Sequence, residues 1–396
     1  MLNPTLRILF VVPIPWSPNL GVTKVRISLK DEFQKLGHHV EKFDVFDAFP
    51  ELKKLSARQS RLLSLFRPSF EYQAKKFIQR NARRFDVIDF SHDCLPFSKE
   101  ELNFHGLLVA RSDGLSGIFS KVLKDFKKDE KFHNALIKWV LLQKKRYGTN
   151  NWIHGLKHSD LIILPNKGEI DYLHEFNDLC QKTVLVNHGL SEIEYKILSS
   201  NIHQIEHRLL KPIIVFLGSW SPNKGSQDWK LIIPIIREKI PGIIFRFIGT
   251  GCGKEKVVND LELEDSKNIE VFPGFDNSNL STLLQDATVG AFPSYFEGFG
   301  LAVLEKIASG IPTVAYDVFG TRETLRCIES SLLVPCGDVK QFSTRIVSIL
   351  NLEKAAYKEL SMKCVRAAKK FSWKAAASKT IAAYLNSLKD IDSPKN

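Results

Sequence analysis

A chain of 396 residues has the length of about two domains. Its 44% hydrophobic and 25% charged residues are ordinary for a soluble globular protein and exclude a disordered chain, apart from the last few residues, KDIDSPKN. The formal charge of +12 is uneven, for between residues 51 and 150 Lys and Arg outnumber Asp and Glu roughly two to one. Examples are KKLSARQSR (53–61), KKFIQRNARR (75–84) and KVLKDFKKDEK (121–131). Solvated helix faces account for such runs, and a surface facing anionic lipid is the second reading. Nucleic acid ranks third and is not expected as a partner, because there is no reader motif and no basic–aromatic strand pattern.

At the start of the chain, RILFVV (7–12) reads as a buried strand. A signal peptide is the weaker reading, since no small-residue cleavage site follows and Pro13 and Pro15 come at once. VTKVRISLKDEFQKL (22–36) is an amphipathic helix with Gly37 at its end, and HVEKFDV begins a second strand. DVIDF (86–90), GLLVAR (106–111), DLIILP (160–165) and TVLVN (183–187) continue the series. Residues 196–212 read as a region linking two domains. A second series of strands follows: IIVFLG (213–218), IIFRFIG (243–249), IEVFPG (269–274), TVGAFPS (288–294) and TVAYD (313–317). Strands alternating with helical stretches predict parallel sheets built from βαβ units. Residues 359–388 read as one or two terminal helices, with FSW (371–373) marking a break. No apolar run approaches the roughly 18–20 residues of a membrane span. Six scattered cysteines without a CxxC read as reduced core thiols, which places the chain in the cytoplasm.

The stretch FPSYFEGFGLAVLEKIASGIP (292–312) carries the chemistry. Gly298 and Gly300 put Glu297 in a strand-to-helix loop, and Leu301 to Ser309 fits one short helix with Gly310 past its end. Glu305 shares the apolar side of that helix, where a carboxylate is costly without a partner. Backbone N–H groups near Gly300 form a helix amino end that attracts anions. Acceptors at both glutamates with donors between them suit a polyhydroxyl ligand joined to phosphate. In the alternative reading, Glu297 is a surface residue and Glu305 pairs with a buried Arg or Lys.

Residues 292–325 resemble the E-x7-E signature of glycosyltransferase family 4, through PS-x-x-EGFG and the A-x-G-x-P that follows. The resemblance implies the GT-B fold, with two Rossmann-like doubly wound parallel-sheet domains facing a central cleft. It implies a retaining transfer from a UDP- or GDP-linked nucleotide sugar to a saccharide or lipid-linked acceptor, without a metal or other cofactor. The expected division is 1–205 for the acceptor side, 206–375 for the donor side, and 376–396 for a terminal helix returning to the first domain.

By the same resemblance Glu305 binds the ribose, Glu297 contacts the transferred sugar, and Gly298, Phe299, Gly300 and Leu301 line sugar and phosphates with their amides. FLGSWSPNKG (216–225) supplies Lys224 for the diphosphate, where a positive charge stabilises the leaving group. On its residues alone, Lys224 reads equally well as a surface lysine. Gly274 and Phe275 of FPGF face the base, and Gly21 of NLGVTK lies by the phosphates. FIGTGCGK (248–254) reads as a tight turn.

Two positions depart from the family. Ser219 stands where an arginine is usual, and Asp113 stands where a histidine is usual, in the catalytic set with Glu297 and Lys224. Arg111 is expected to offset Asp113, and Arg111 and His92 are the acceptor-side candidates. The departures keep open a degenerate GT-B protein that binds a nucleotide sugar or partner without turnover. A nucleotide-sugar epimerase or a phosphorylase is the rival within enzymes.

Overall fold

The alternating runs form two all-parallel sheets of six strands each, in a computed structural model that describes residues 4–54, 69–118, 151–263 and 265–392. The first sheet holds β1 (Arg7–Val11), β2 (His39–Phe43), β3 (Val87–Ser91), β4 (Leu107–Arg111), β5 (Leu161–Leu164) and β6 (Thr183–Leu185), in the order β2-β1-β3-β4-β5-β6. The second holds β7 (Ile213–Leu217), β8 (Ile244–Ile248), β9 (Ile269–Phe272), β10 (Val289–Phe292), β11 (Thr313–Tyr316) and β12 (Leu333–Val334), in the order β12-β11-β10-β7-β8-β9. Every residue of β3, β4, β7 and β8 is buried, because helices cover both faces of a parallel sheet. The two-residue β12 alone carries too short a pattern to be read from the sequence.

The strand order of the second sheet is that of the dinucleotide-binding fold. Its direction of winding reverses between β7 and β10, which pair side by side with Val289 opposite Ile214. In the first sheet the reversal lies between β1 and β3, where Ile8 stands opposite Val87. In open α/β sheets, ligands gather beyond the carboxyl ends of the strands at such a switch point.

The chain falls into two compact units. One takes the described residues before 119, those of 151–187 and those from Trp373 onward, and the other runs from His188 to Ser372. Residues 196–212, expected to link domains, are helical: Glu192–Ser199, Ser200–Gln204 and Ile205–Leu210. They are fixed in the second unit by Arg208. Its buried guanidinium donates to the carbonyls of Gln285 (2.8 Å), Ser309 (2.9 Å) and Gly310 (3.2 Å). The end of the chain forms two helices, Lys354–Ala368 and Trp373–Asp392, with the break at 369–372. The second of these belongs to the first unit and packs on the helix Gly21–Lys35, where Tyr384 meets Phe33 edge-on at 6.1 Å.

The basic run 121–131 and most of 53–61 lie outside the described residues. The run 75–84 spans the helix Phe70–Asn81 and the turn Ala82–Arg84. Part of its charge is neutralised locally: Lys75 bonds Glu101 at 3.0 Å and Arg84 bonds Glu41 at 2.7 Å. Among the described residues, no helix is long and apolar enough to cross a membrane.

Candidate functional site

At the switch point of the second sheet, the loops after β7 and β10 are tied together. Tyr295 N–H donates to the Asn223 carbonyl at 2.9 Å. Gly225 lies so close that a Cβ there would sit 2.0 Å from the Pro293 carbonyl oxygen, and its φ is +74°. Only glycine satisfies both conditions. This seam brings the Lys224 ammonium onto Glu297 Oε1, which also accepts from the Ser294 hydroxyl at 2.7 Å. The Glu297 side chain is 10% exposed and that of Lys224 is 23% exposed, so the pair sits at the lip of the sheet, partly open to solvent.

The Glu297 loop is held from two further sides. Tyr295 and Tyr316 hydroxyls both donate to Asp228 Oδ2, at 2.8 and 2.6 Å, in the interior. Burial and the Asp228 charge push both phenols far up, so they remain neutral donors. Gly320 backs the loop, for a Cβ there would lie 2.7 Å from the Glu297 carbonyl and 2.8 Å from the Phe299 nitrogen.

The helix Leu301–Ala308 then starts at Gly300, whose φ of +80° turns the chain and whose lack of side chain leaves the helix without a side-chain cap. Glu305 is 6% exposed on this helix. Phe299, by contrast, is a core residue: its ring packs against His188 at 5.1 Å and Phe371 at 5.6 Å. Only its backbone is available to a ligand.

Ser219 lies in the loop after β7, with its hydroxyl 3.1 Å from that of Ser221. The turn after β8 and the turn after β9 are joined by Gly249 N–H to Phe272 O and Gly251 N–H to Pro273 O, both 2.8 Å. Phe275 thereby lies over Gly249, while a Cβ on Gly274 would meet nothing within 4 Å.

A buried lysine lies next to these loops without a motif to mark it. Lys306 is fully buried, donates to the Ala291 carbonyl at 3.2 Å, and lies 4.7 Å from the centre of the Phe292 ring. Burial pushes its ammonium down to about 7, against the fields of Glu297 and Glu305, which pull it up. Its only signal in the sequence was a lysine next to Glu305 in a helix whose other residues are all apolar.

In the first unit the remaining candidates build a different structure. Asp113 is gripped by Arg26, whose guanidinium donates to both carboxylate oxygens at 2.8 and 3.0 Å, and it accepts from the Ser91 hydroxyl at 3.1 Å. Arg111, expected to offset Asp113, bonds Asp89 instead, at 2.6 Å, and also donates to the Tyr384 hydroxyl at 3.2 Å. The reason is register. Ser91 and Arg111 are opposite each other, so Asp89, Ser91 and Arg111 share one face of the sheet, whereas Asp113 lies in the loop beyond β4. Arg111 is 1% exposed and its Nε and Nη2 are engaged by Asp89 and Tyr384, so it is a buried structural cation rather than an exposed acceptor contact. His92 is 3% exposed, and neither ring nitrogen has a partner among the described residues. Gly21 opens the helix Gly21–Lys35 with free space around it. Glu169, at the start of the helix Lys167–Leu173, is pushed up to about 8 by burial, so a protonated carboxyl sits near Asp113 at neutral pH.

Two such units, each a doubly wound parallel sheet with ligand-capable loops at its switch point, constitute the GT-B architecture. A sucrose-phosphate synthase from Thermosynechococcus elongatus shares the fold, with a TM-score of 0.73 and 18% identity over 96% of this chain and 98% of its own. So does the Anabaena protein HepE, solved in complex with UDP and glucose, at a TM-score of 0.64 and 15% identity over 97% of this chain and 100% of its own. Residues 200–371 match the family described as glycosyl transferases group 1. In sequence, a glycogen synthase of Mycobacterium tuberculosis is 24% identical over 253 residues, which is 62% of this chain and 59% of that relative's length.

Proposed function

We propose that the protein is a retaining, metal-independent glycosyltransferase that moves a sugar from a UDP- or GDP-linked donor to a saccharide or lipid-linked acceptor. The observation that carries this reading is the meeting of Lys224 and Glu297 at the switch point of the second sheet, beside the amino end of the helix that bears Glu305.

An ammonium has three donors, so Lys224 keeps its bond to Glu297 and still offers two to a diphosphate. There it stabilises the charge that develops as the donor cleaves. The helix amino end at Gly300 to Leu301 receives phosphate or sugar oxygens. Glu305 accepts from the ribose hydroxyls and Glu297 from those of the sugar. Ser219 adds a hydroxyl where the family supplies an arginine. Transfer takes place on one face of the sugar. The acceptor oxygen bonds to the anomeric carbon on the side from which the diphosphate leaves. The carbon–oxygen bond to phosphate breaks with its electron pair going to the diphosphate, and the acceptor's proton passes to the departing phosphate oxygen.

Lys224→Ala and Glu297→Gln are expected to lower transfer by at least a hundredfold, the order seen when one charge-stabilising group is removed, while the circular-dichroism spectrum stays unchanged. Wild-type turnover in both would overturn the site assignment. The second reading, a GT-B protein that binds without turnover, is favoured by Ser219 and by the way Arg26 occupies Asp113. Calorimetry with UDP and GDP followed by a donor-hydrolysis assay separates the two, since binding with neither hydrolysis nor transfer selects the second.

The basic character of residues 51–150 supports a cytoplasmic protein working on an anionic membrane face. Flotation with liposomes containing anionic lipid, but not with neutral ones, is the expected result.

A further inference from the structure

Lys306 has no part in the roles assigned above, yet it is fully buried in the second unit, close behind the Glu297 loop. Its ammonium is fully buried and makes one hydrogen bond, to the Ala291 carbonyl of β10. Its stem presses on β10, for a Cβ added to Gly290 would lie 3.1 Å from the Lys306 side chain and 2.2 Å from the Thr313 hydroxyl. A group with three donors and a single acceptor in the interior is under-satisfied, and nothing about packing requires a lysine there. The Phe292 ring links it to the site: Lys306 Nζ lies 4.7 Å from the ring centre and Lys224 Nζ lies 5.8 Å from the same centre. The two lysines therefore share one aromatic ring directly beneath the Glu297 loop.

The charges acting on Lys306 from the described residues are Glu297, from the loop after β10, and Glu305 on its own helix. Strand β10 offers it the Ala291 carbonyl, while the Thr313 hydroxyl of β11 donates to the Ile311 carbonyl instead. The helices Glu192–Ser199, Phe319–Leu325 and Lys354–Ala368 also pack on its helix, but none of their charged side chains acts on it.

We propose that Lys306 is a positioning residue of the donor site, a buried counter-charge that takes up a proton when the diphosphate of a nucleotide sugar arrives at Lys224. This rests on the donor-site reading given above. A diphosphate adds negative charge on the far side of the Lys224–Glu297 pair, and through a dry interior that charge favours the ammonium form of Lys306. Before binding, the group is poised near neutrality by burial. Uptake of a proton on binding means that donor affinity falls as pH rises through that range.

The test is calorimetry of the full chain with UDP-glucose and GDP-mannose, whose diphosphates carry no group that titrates near neutrality, in buffers of different ionisation enthalpy at pH 6.5, 7.5 and 8.5. The wild type is expected to take up a fraction of a proton at pH 7.5, and less at pH 6.5. Lys306→Met should show no uptake and bind about tenfold more weakly at pH 6.5, with the difference shrinking at pH 8.5. If Lys306→Met does not fold, the wild-type measurement decides: binding without proton uptake overturns the proposal. Uptake that persists in a folded Lys306→Met overturns it too. If neither nucleotide sugar, UDP nor GDP binds the wild type, the donor-site reading fails and the proposal with it. Loss of binding in Lys224→Ala confirms that reading separately.

Discussion

A buried lysine is a cost to the fold as well as a tool for the site. Lys306 is held down to about 7, whereas its ordinary value is 10.5. Between these values the unfolded chain binds the proton and the folded chain does not, so this group makes stability rise with pH across that window, by at most about 1.4 kcal/mol per unit. Below about pH 7 the penalty is complete and constant. Lys306→Met should therefore melt higher than the wild type at pH 7, and the gap between the two should close toward pH 10. Thermal melts of both proteins from pH 6 to 10 check this, and a constant gap would mean that Lys306 does not titrate in the folded state. Glu297 was legible from the glycines around it and Lys224 only from the family resemblance, and the two meet. Lys306, Asp228 and Arg26 were not, because what singles them out is burial among partners far away in the chain. Arg26 and Asp113 are 87 positions apart, and no local spacing announces such a bond.

Elements were far more legible than side-chain partners. Each strand proposed from an apolar run is present, since a fully buried parallel strand has to be apolar along its whole length. The helix Leu301–Ala308 was readable from the glycines at both ends. The closeness of the β7 and β10 loops was not, since it is a fact of the sheet order. Gly225 tests that closeness. Gly225→Ala has to move the Pro293 carbonyl and hold an unfavourable φ, which should cost about 2–4 kcal/mol and part the Lys224 and Glu297 loops. Gly320→Ala should be milder in stability and severe in turnover, because the displaced atoms belong to the Glu297 backbone itself. Denaturant melts paired with transfer assays distinguish the two outcomes. Equal stability of Gly225→Ala and wild type would show that the seam between the loops gives way.

On the scale of the whole molecule, the first unit is closed by residues that come last in the chain. Tyr384 donates to Asp89 Oδ2 at 2.5 Å and accepts from Arg111, so the terminal helix Trp373–Asp392 completes a buried polar cluster begun by β3 and β4. Burial and Asp89 push the Tyr384 phenol far up, which keeps its proton in place. Tyr384→Phe should cost about 1–3 kcal/mol through the two bonds it removes. Arg111→Met should cost about 3 kcal/mol, since it leaves the buried Asp89 charge with only the longer ion pair to Arg26, at 3.9 Å, and the Tyr384 hydroxyl. Urea unfolding followed by tryptophan fluorescence would measure both, and an Arg111→Met protein as stable as the wild type would refute the cluster's role. The bulk charge and composition revealed none of this, because they do not say which charges are buried.

The chain leaves the first unit after Asn187 and returns to it at Trp373. Outgoing and returning segments run side by side within the second unit, with Leu190 N–H bonded to the Phe371 carbonyl at 3.1 Å. The consequence falls on synthesis. A ribosome delivers the first sheet's strands well before the helix that covers Asp89 and Arg111, and the whole second unit emerges in between. The second unit is thus free to fold as soon as it is made, while the first waits with a charged pair uncovered. Ribosome-stalled chains that end at residue 372 followed by an unstructured linker long enough to clear the exit tunnel should contain a protease-resistant second unit and a protease-sensitive first one, and a resistant first unit in such chains would show that its fold precedes its lid.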